Sequence, residues 1–331
     1  MGPGLLGGTY RPEEIRFHIQ KTAEDRGAEF VTGKVVRVEP EACRLVLDSN
    51  ETVSYDVVSF NTGSFVPVEK PEGPAPEIFT VKPIERLWEA RKRIQELCRE
   101  NTLRLFVVGG GAAGVEMAGN AWKAVQQAGG RAEITVLSGG GLLSRFHPRA
   151  RKKALESFRR RGIVCIEGQY IAGIVAGGVV SGEGESFSCD AAIWAVGIRP
   201  SPIFLSSGLE TDEDGALLVN RHLQSVSSPT IFGGGDCIGF MPRPLDKVGV
   251  YAVRENAILY RNLMALLAGR QLLAFSPQRH YHLIFNLGDG RAISCRRSLV
   301  WAGRTAFRLK DRIDRRFMRR FQVSGETENP S

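Results

Sequence analysis

Leu103-Arg104-Leu105-Phe106-Val107-Val108-Gly109-Gly110-Gly111-Ala112-Ala113-Gly114 decides how this chain folds. An apolar, β-branched run ends in glycines spaced G-x-G-x-x-G, and a helix-forming stretch from Ala113 to Gln127 follows. This order predicts a strand, a tight turn and a helix N-terminus. Gly109 permits the turn, Gly111 lets a pyrophosphate approach the backbone, and Gly114 lets the helix pack closely on the strand, with Gly110 completing the loop. Free N–H groups and the positive end of the helix dipole would face the phosphates. A second strand, Glu133 to Leu137, arrives about 20 residues later, as the motif requires. In NAD-selective folds an acidic residue at this strand end accepts hydrogen bonds from the ribose 2′-hydroxyl. Here the position is Ser138, which carries no charge. Arg145, a few residues on, either meets a 2′-phosphate or lies in water, so NAD and NADP both stay open.

Working outward, Phe30 to Val38 alternates as a strand, and Arg44 to Leu47 reads as its hairpin partner. Tyr55 to Phe60 is a buried strand running into Asn61-Thr62-Gly63, and the prolines between Pro67 and Pro76 suggest a linker. Leu87, Ala90, Ile94 and Leu97 recur at helical spacing. After the glycine motif come a basic helix from Arg149 to Arg161, a strand at Ile163–Gly168 and another at Asp190–Gly197. A strand at Thr230–Asp236 and a helix from Val250 to Leu267 repeat the pattern, and the tail from Phe275 reads as short strands plus one basic helix. This alternation predicts an α/β chain. Gly2-Pro3-Gly4-Leu5-Leu6-Gly7 also spells G-x-G-x-x-G, but no strand precedes it and no amphipathic helix follows, so it is not read as a nucleotide site.

The composition is that of a globular protein, with 43% hydrophobic and 24% charged residues. No run reaches the roughly 18 apolar residues of a membrane-spanning helix, and no secretory signal is visible. Six cysteines stand without CxxC or zinc-ligand spacing, which argues against a disulfide framework or a metal site and fits a reducing, cytoplasmic setting. Residues Arg304 to Arg320 hold eight basic and two acidic side chains, a net +6 of the chain's +8. The remainder is nearly neutral, which disfavours a nucleic-acid surface. Leu309, Ile313, Phe317 and Phe321 recur every four residues there, with Met318 beside them. Such a helix lies in an anionic bilayer interface, making the protein peripheral on the membrane, or packs its apolar side on the protein's own sheet, with an acidic partner protein as a lesser third option.

Three further stretches make the chain familiar. Tyr55-Asp56-Val57-Val58 leading to Asn61-Thr62-Gly63-Ser64 is similar to a "YDxLxxATGS" strand end. Trp194-Ala195-Val196-Gly197-Ile198-Arg199-Pro200 is similar to an "ATGxRP" element, and Thr230-Ile231-Phe232-Gly233-Gly234-Gly235-Asp236 to a flavin motif ending in Gly-Asp. Their order around the central glycines resembles the pyridine nucleotide-disulfide oxidoreductase superfamily. Within it, the chain most resembles type II NADH dehydrogenases and relatives associated with selenide, water dikinase. The runs Val248 to Arg254 and Lys310 to Phe317 fit that subgroup.

The resemblance implies two interleaved dinucleotide-binding, Rossmann-like domains. Residues 1–101 and 200–275 would bind FAD, 102–199 would bind NAD(P)H, and 276–331 would form a small C-terminal α+β region. It implies that Gly109, Gly111 and Gly114 hold NAD(P)H and that Gly197 closes over the nicotinamide half. Asp236, with Gly235 allowing close approach, would accept hydrogen bonds from the flavin ribityl or the water around its pyrophosphate, and Asn61, Thr62 and Gly63 would line its adenosine side. Gly233 departs from the family's alanine. The family opens with a strand–GxGxxG–helix unit for the ADP half of FAD. That βαβ unit is expected to be missing ahead of Met1, leaving the chain to hold FAD weakly.

The implied activity is hydride transfer from NAD(P)H to flavin and onward to a small-molecule acceptor such as a quinone. That chemistry needs no protein acid or base, so no catalytic residue is named; Lys82 and His147 are read as structural or exposed. The competing reading is a non-enzymatic NAD(P)-binding regulator that has lost flavin. A sulfide:quinone oxidoreductase would need two cysteines beside the flavin, and Cys165 sits in an apolar strand. The sequence leaves open whether the protein is a homodimer.

Overall fold

The computed structural model describes residues 1–68 and 75–326. Most of the expected linker, residues 69–74, lies outside the described residues. By packing, the chain divides into two units. Unit 1 comprises Met1–Phe30, Val66–Gly197 and His282–Ser331, and unit 2 comprises Val31–Phe65 and Ile198–Tyr281. The segment 1–101 therefore contributes to both.

Unit 1 is built on a five-stranded sheet. Its strand order is Glu77–Thr80, Ala191–Trp194, Leu103–Val108, Ala132–Ser138 and Val164–Glu167, and every neighbouring pair is parallel. Parallel strands need crossover helices on the faces, and the sequence supplies them. Ala112–Ala128 presents Val115, Ala118, Ala121 and Val125 to the core and stops at Gly129, whose φ of +67° is the left-handed cap that glycine favours. Glu85–Glu100 buries Leu87, Ala90, Ile94 and, one step beyond the expected Leu97, Cys98. Pro148–Arg160 starts with proline at its first position, and His147 Nδ1 accepts the Arg149 N–H at 3.1 Å. His147 is thus a helix cap.

A three-stranded antiparallel sheet of Leu283–Asn286, Ala292–Arg296 and Leu299–Gly303 leads into the helix Arg304–Phe321. Of the arrangements expected for that helix, packing of the apolar stripe on the protein's own sheet is not what the structure shows. It docks through Ala306 and Met318, with Lys310 and Asp314 at the same four-residue spacing between them. The stripe expected to pack on the sheet leaves Leu309, Ile313 and Phe321 exposed, Ile313 by 48%. Among the described residues no helix is long and apolar enough to cross a membrane.

Unit 2 holds an antiparallel sheet of Val35–Glu39, Arg44–Leu47 and Thr52–Ser54. It also holds two short parallel pairs, Val58–Phe60 with Ile231–Gly233 and Leu217–Val219 with Ile238–Phe240, and the helix Gly249–Leu267. Its core includes Phe60, Phe204, Leu217, Phe232 and Leu259. The strand expected from Phe30 begins only at Val35. Its partner is four residues long and its first pairing is Val35 with Leu47, so nothing continues the ladder to Phe30 and Val31, which are exposed. The expected strand from Tyr55 is likewise confined to Val58–Phe60, the residues that pair with Ile231–Gly233.

Candidate functional site

In unit 1 the glycine motif forms the floor of a cavity of about 590 Å³ at the carboxyl ends of the parallel strands. That is the position and size at which α/β sheets take dinucleotides. Gly109 has a φ of +127°, and a β-carbon there would meet the Ala195 carbonyl oxygen at 2.9 Å. Gly111 caps the following helix, and a β-carbon there would meet nothing within 4 Å, so its open side belongs to the cavity. Gly114 lies behind it, and a β-carbon there would press into the Gly109 carbonyl oxygen. Gly109 and Gly114 thus sit in the turn and the helix packing expected of them, and Gly111 leaves open space beside the backbone.

Gly110 has a constraint that the motif alone does not reveal. A β-carbon there would collide with the Ser138 hydroxyl, and the Gly110 carbonyl accepts the Leu143 N–H at 2.7 Å. Ser138, only 2% exposed, is thereby set at the cavity wall. Gly197, at φ +68°, and Trp194 line the opposite strand end. Arg145 and Tyr170 line the rim. Gly109, Gly110, Gly111, Ser138 and Gly197 thus share one cavity, with Gly114 supporting it.

In unit 2 the parallel register pairs Phe60 with Gly233, so the loops leaving the two strands run side by side. The Gly234 N–H donates to the Phe60 carbonyl at 2.9 Å, and the Ser64 hydroxyl donates to Asp236 Oδ2 at 3.0 Å. Gly235, at φ +75°, has no room for a β-carbon, which would sit 2.6 Å from Asn61 Oδ1. Asn61, Thr62, Gly63, Gly235 and Asp236 are therefore brought together. Glu255, which the sequence reading did not single out, holds this loop. Its carboxylate is 2% exposed and accepts the Gly235 N–H at 2.6 Å, and burial raises its pKa. The signal was present, since Tyr251, Glu255, Leu259 and Asn262 form one buried stripe on their helix.

Glu116 was also missed. It sits one turn into the motif helix and accepts the Asn286 N–H at 2.7 Å, with its pKa raised by burial. Lys310 faces it and bonds Asp314 at 3.1 Å. Burial alone would lower this lysine, but the two carboxylates hold its pKa raised.

All six cysteines are free. Burial pushes the Cys165 and Cys295 thiols up to about 11, so neither is a ready thiolate nucleophile at neutral pH. Among the described residues no group of three or more acidic, histidine or cysteine side chains could hold a metal ion.

Comparison with known proteins agrees with this geometry. The chain is 27% identical to ferroptosis suppressor protein 1 of Xenopus tropicalis over 264 residues, covering 75% of this chain and 66% of that protein. It is 24% identical over 242 residues to an NADH dehydrogenase-like protein of Bacillus subtilis, covering 72% and 65%. The chain thus spans just under two thirds of the length of these relatives. The fold is similar to that in the crystal structure of a covalent putidaredoxin reductase–putidaredoxin complex, with a TM-score of 0.69 at 20% identity, covering 88% of this chain and 70% of that one. Residues 4–258 match the family described as pyridine nucleotide-disulphide oxidoreductase, and the chain belongs to that family.

Proposed function

We propose that this chain serves an FAD-dependent NAD(P)H oxidoreductase, with unit 1 binding NAD(P)H and unit 2 carrying the flavin loop. The observation that carries the reading is the unit 1 cavity, whose floor is open at Gly111 and whose glycines cannot bear side chains where the backbone must close up. The names of the relatives, an NADH dehydrogenase-like protein among them, support it. The residues present fit both groups. The Ala112–Ala128 helix offers its first N–H groups to a pyrophosphate, and Gly235 brings backbone close beside Asp236. When bound, the flavin takes two electrons from the nicotinamide and passes them to an acceptor, for which a quinone-like molecule is the candidate. The protein's task is to bind and align, with Glu255 fixing the Gly235 loop. With FAD supplied, the purified chain should couple NADH or NADPH oxidation to reduction of a water-soluble quinone. Dinucleotide binding without any such turnover would leave a binding protein and overturn the enzymatic reading.

The same proposal places the protein against a membrane through the Arg304–Phe321 helix. Exposed Leu309, Ile313 and Phe321 form an apolar stripe flanked by Arg308, Arg312, Arg316 and Arg320. An anionic bilayer contributes about 1 kcal/mol per basic residue at its surface, and the stripe adds apolar burial. Co-sedimentation with anionic vesicles should fall sharply for Ile313→Glu and with added salt. Equal sedimentation of parent and variant would remove the membrane role.

A further inference from the structure

We infer that the unit 1 cavity accepts the 2′-phosphorylated dinucleotide, NADPH, at least as tightly as NADH, with Arg145 as the residue that recognises the phosphate. The inference rests on reading that cavity as the NAD(P)H site. In this fold the end of the second strand faces the adenosine ribose, where a carboxylate accepts the 2′-hydroxyl and repels a phosphate. Here the strand Ala132–Ser138 ends in a serine followed by Gly139, Gly140 and Gly141. The Ser138 hydroxyl can donate to a phosphate oxygen as readily as it accepts from a hydroxyl.

The charge around this strand end points the same way. Among the described residues that line the cavity none is acidic, and the one cation is Arg145. The carboxylate on the adjacent strand, Glu167, is in register with Ser138 but already engaged. It takes two hydrogen bonds from Arg151, at 2.8 and 2.7 Å, and one from the Leu142 N–H at 2.7 Å, which together hold its pKa below the usual range. Three of the acceptor positions on Glu167 are therefore already taken within the protein, and it is not among the residues lining the cavity. Arg145 is exposed, makes no ion pair or side-chain hydrogen bond with any described residue, and follows Ser144, a second hydroxyl on the same wall. The glycine loop leaves space, since a β-carbon at Gly140 would touch only the Ser144 hydroxyl, at 3.7 Å. A guanidinium with no partner among the described residues, two hydroxyls and no carboxylate among the described lining suit a dianionic phosphate better than a neutral hydroxyl.

The experiment is calorimetric titration of the full chain with NADP+ and with NAD+ at low ionic strength, for the parent, Arg145→Ala and Arg145→Lys. The parent should bind NADP+ no more weakly than NAD+. Arg145→Ala should raise the ratio of the two dissociation constants, NADP+ over NAD+, at least about tenfold, the scale of one lost charge-assisted contact. Arg145→Lys should recover part of that loss. A merely structural role for Arg145 would move both constants together and leave the ratio unchanged, overturning the assignment. A parent that binds NAD+ more than tenfold tighter than NADP+ overturns the specificity while the dinucleotide site stands. Binding of neither overturns both.

Discussion

Gly111→Val should abolish dinucleotide binding without harming the fold, whereas Gly114→Ala, three residues along the same motif, should harm both. The two glycines differ in what surrounds them. At Gly111 an added β-carbon meets nothing within 4 Å, and the backbone, at φ −76° and ψ −171°, is one that any residue adopts. Valine there should change stability by no more than about 1 kcal/mol, a shift of roughly 1–2 °C in Tm for a chain of this size. Its methyls, however, project where the pyrophosphate must lie against the helix N-terminus, and lost backbone contacts there should weaken binding by about a hundredfold or more. At Gly114 the added carbon is driven into the Gly109 carbonyl oxygen, which is main chain and cannot rotate away. Relief requires the helix to lift from the strand, and overpacking of this kind costs about 1–3 kcal/mol, occasionally more. Thermal melts and NADH titration on both variants read the difference. Undiminished NADH affinity in Gly111→Val would move the site elsewhere, and an unchanged melt in Gly114→Ala would show that the close packing is dispensable.

That pair marks how far the sequence could be read. The turn, the approach and the packing are local requirements, and the spacing of Gly109, Gly111 and Gly114 encodes them directly. The helices Ala112–Ala128 and Gly249–Leu267 were legible for the same reason, since a helix's apolar stripe is written within its own residues. Strand ends were less so. Phe30 and Val31 alternate like a strand, yet strand structure needs a partner, and the Arg44–Leu47 strand is too short to provide one. The clash between Gly110 and Ser138 joins residues 28 positions apart, and the parallel strands that set it are paired only in three dimensions. The C-terminal helix shows a different limit. Its most apolar stripe left more than one arrangement open, and the face that docks instead carries Lys310 and Asp314, tolerable there because the lysine partly neutralises the carboxylates of Asp314 and Glu116.

That neutralisation carries the second large effect, expected for Lys310→Met. Methionine nearly matches the lysine stem in length, so packing is kept while the cation is lost. The Lys310 side chain is only 16% exposed, as is that of Asp314, and Glu116 faces them together with the amino group of Met1 and the Tyr10 hydroxyl, which bonds Asp314 at 3.2 Å. Removing one partner of a buried ion pair leaves uncompensated charge and costs about 3–5 kcal/mol, and partial solvent access should reduce this to roughly 2–3 kcal/mol. The cost should depend on pH. Burial already raises the Glu116 pKa, and loss of the ammonium raises it further. An acid whose folded pKa is raised contributes its full stability below the unfolded value and loses it as pH rises through the folded one. The variant should therefore stand near the parent at about pH 4–5, close to the carboxyl's unperturbed value, and fall progressively below it toward pH 8. Glu116→Gln should restore much of the loss, because glutamine's carbonyl oxygen can still accept the Asn286 N–H without bringing a charge. Urea unfolding of the parent, both single variants and the double variant at several pH values gives the coupling energy directly. A Lys310→Met deficit that is the same at pH 5 and pH 8, or a double variant no more stable than Lys310→Met alone, would show that Lys310 contributes through packing and not by balancing Glu116.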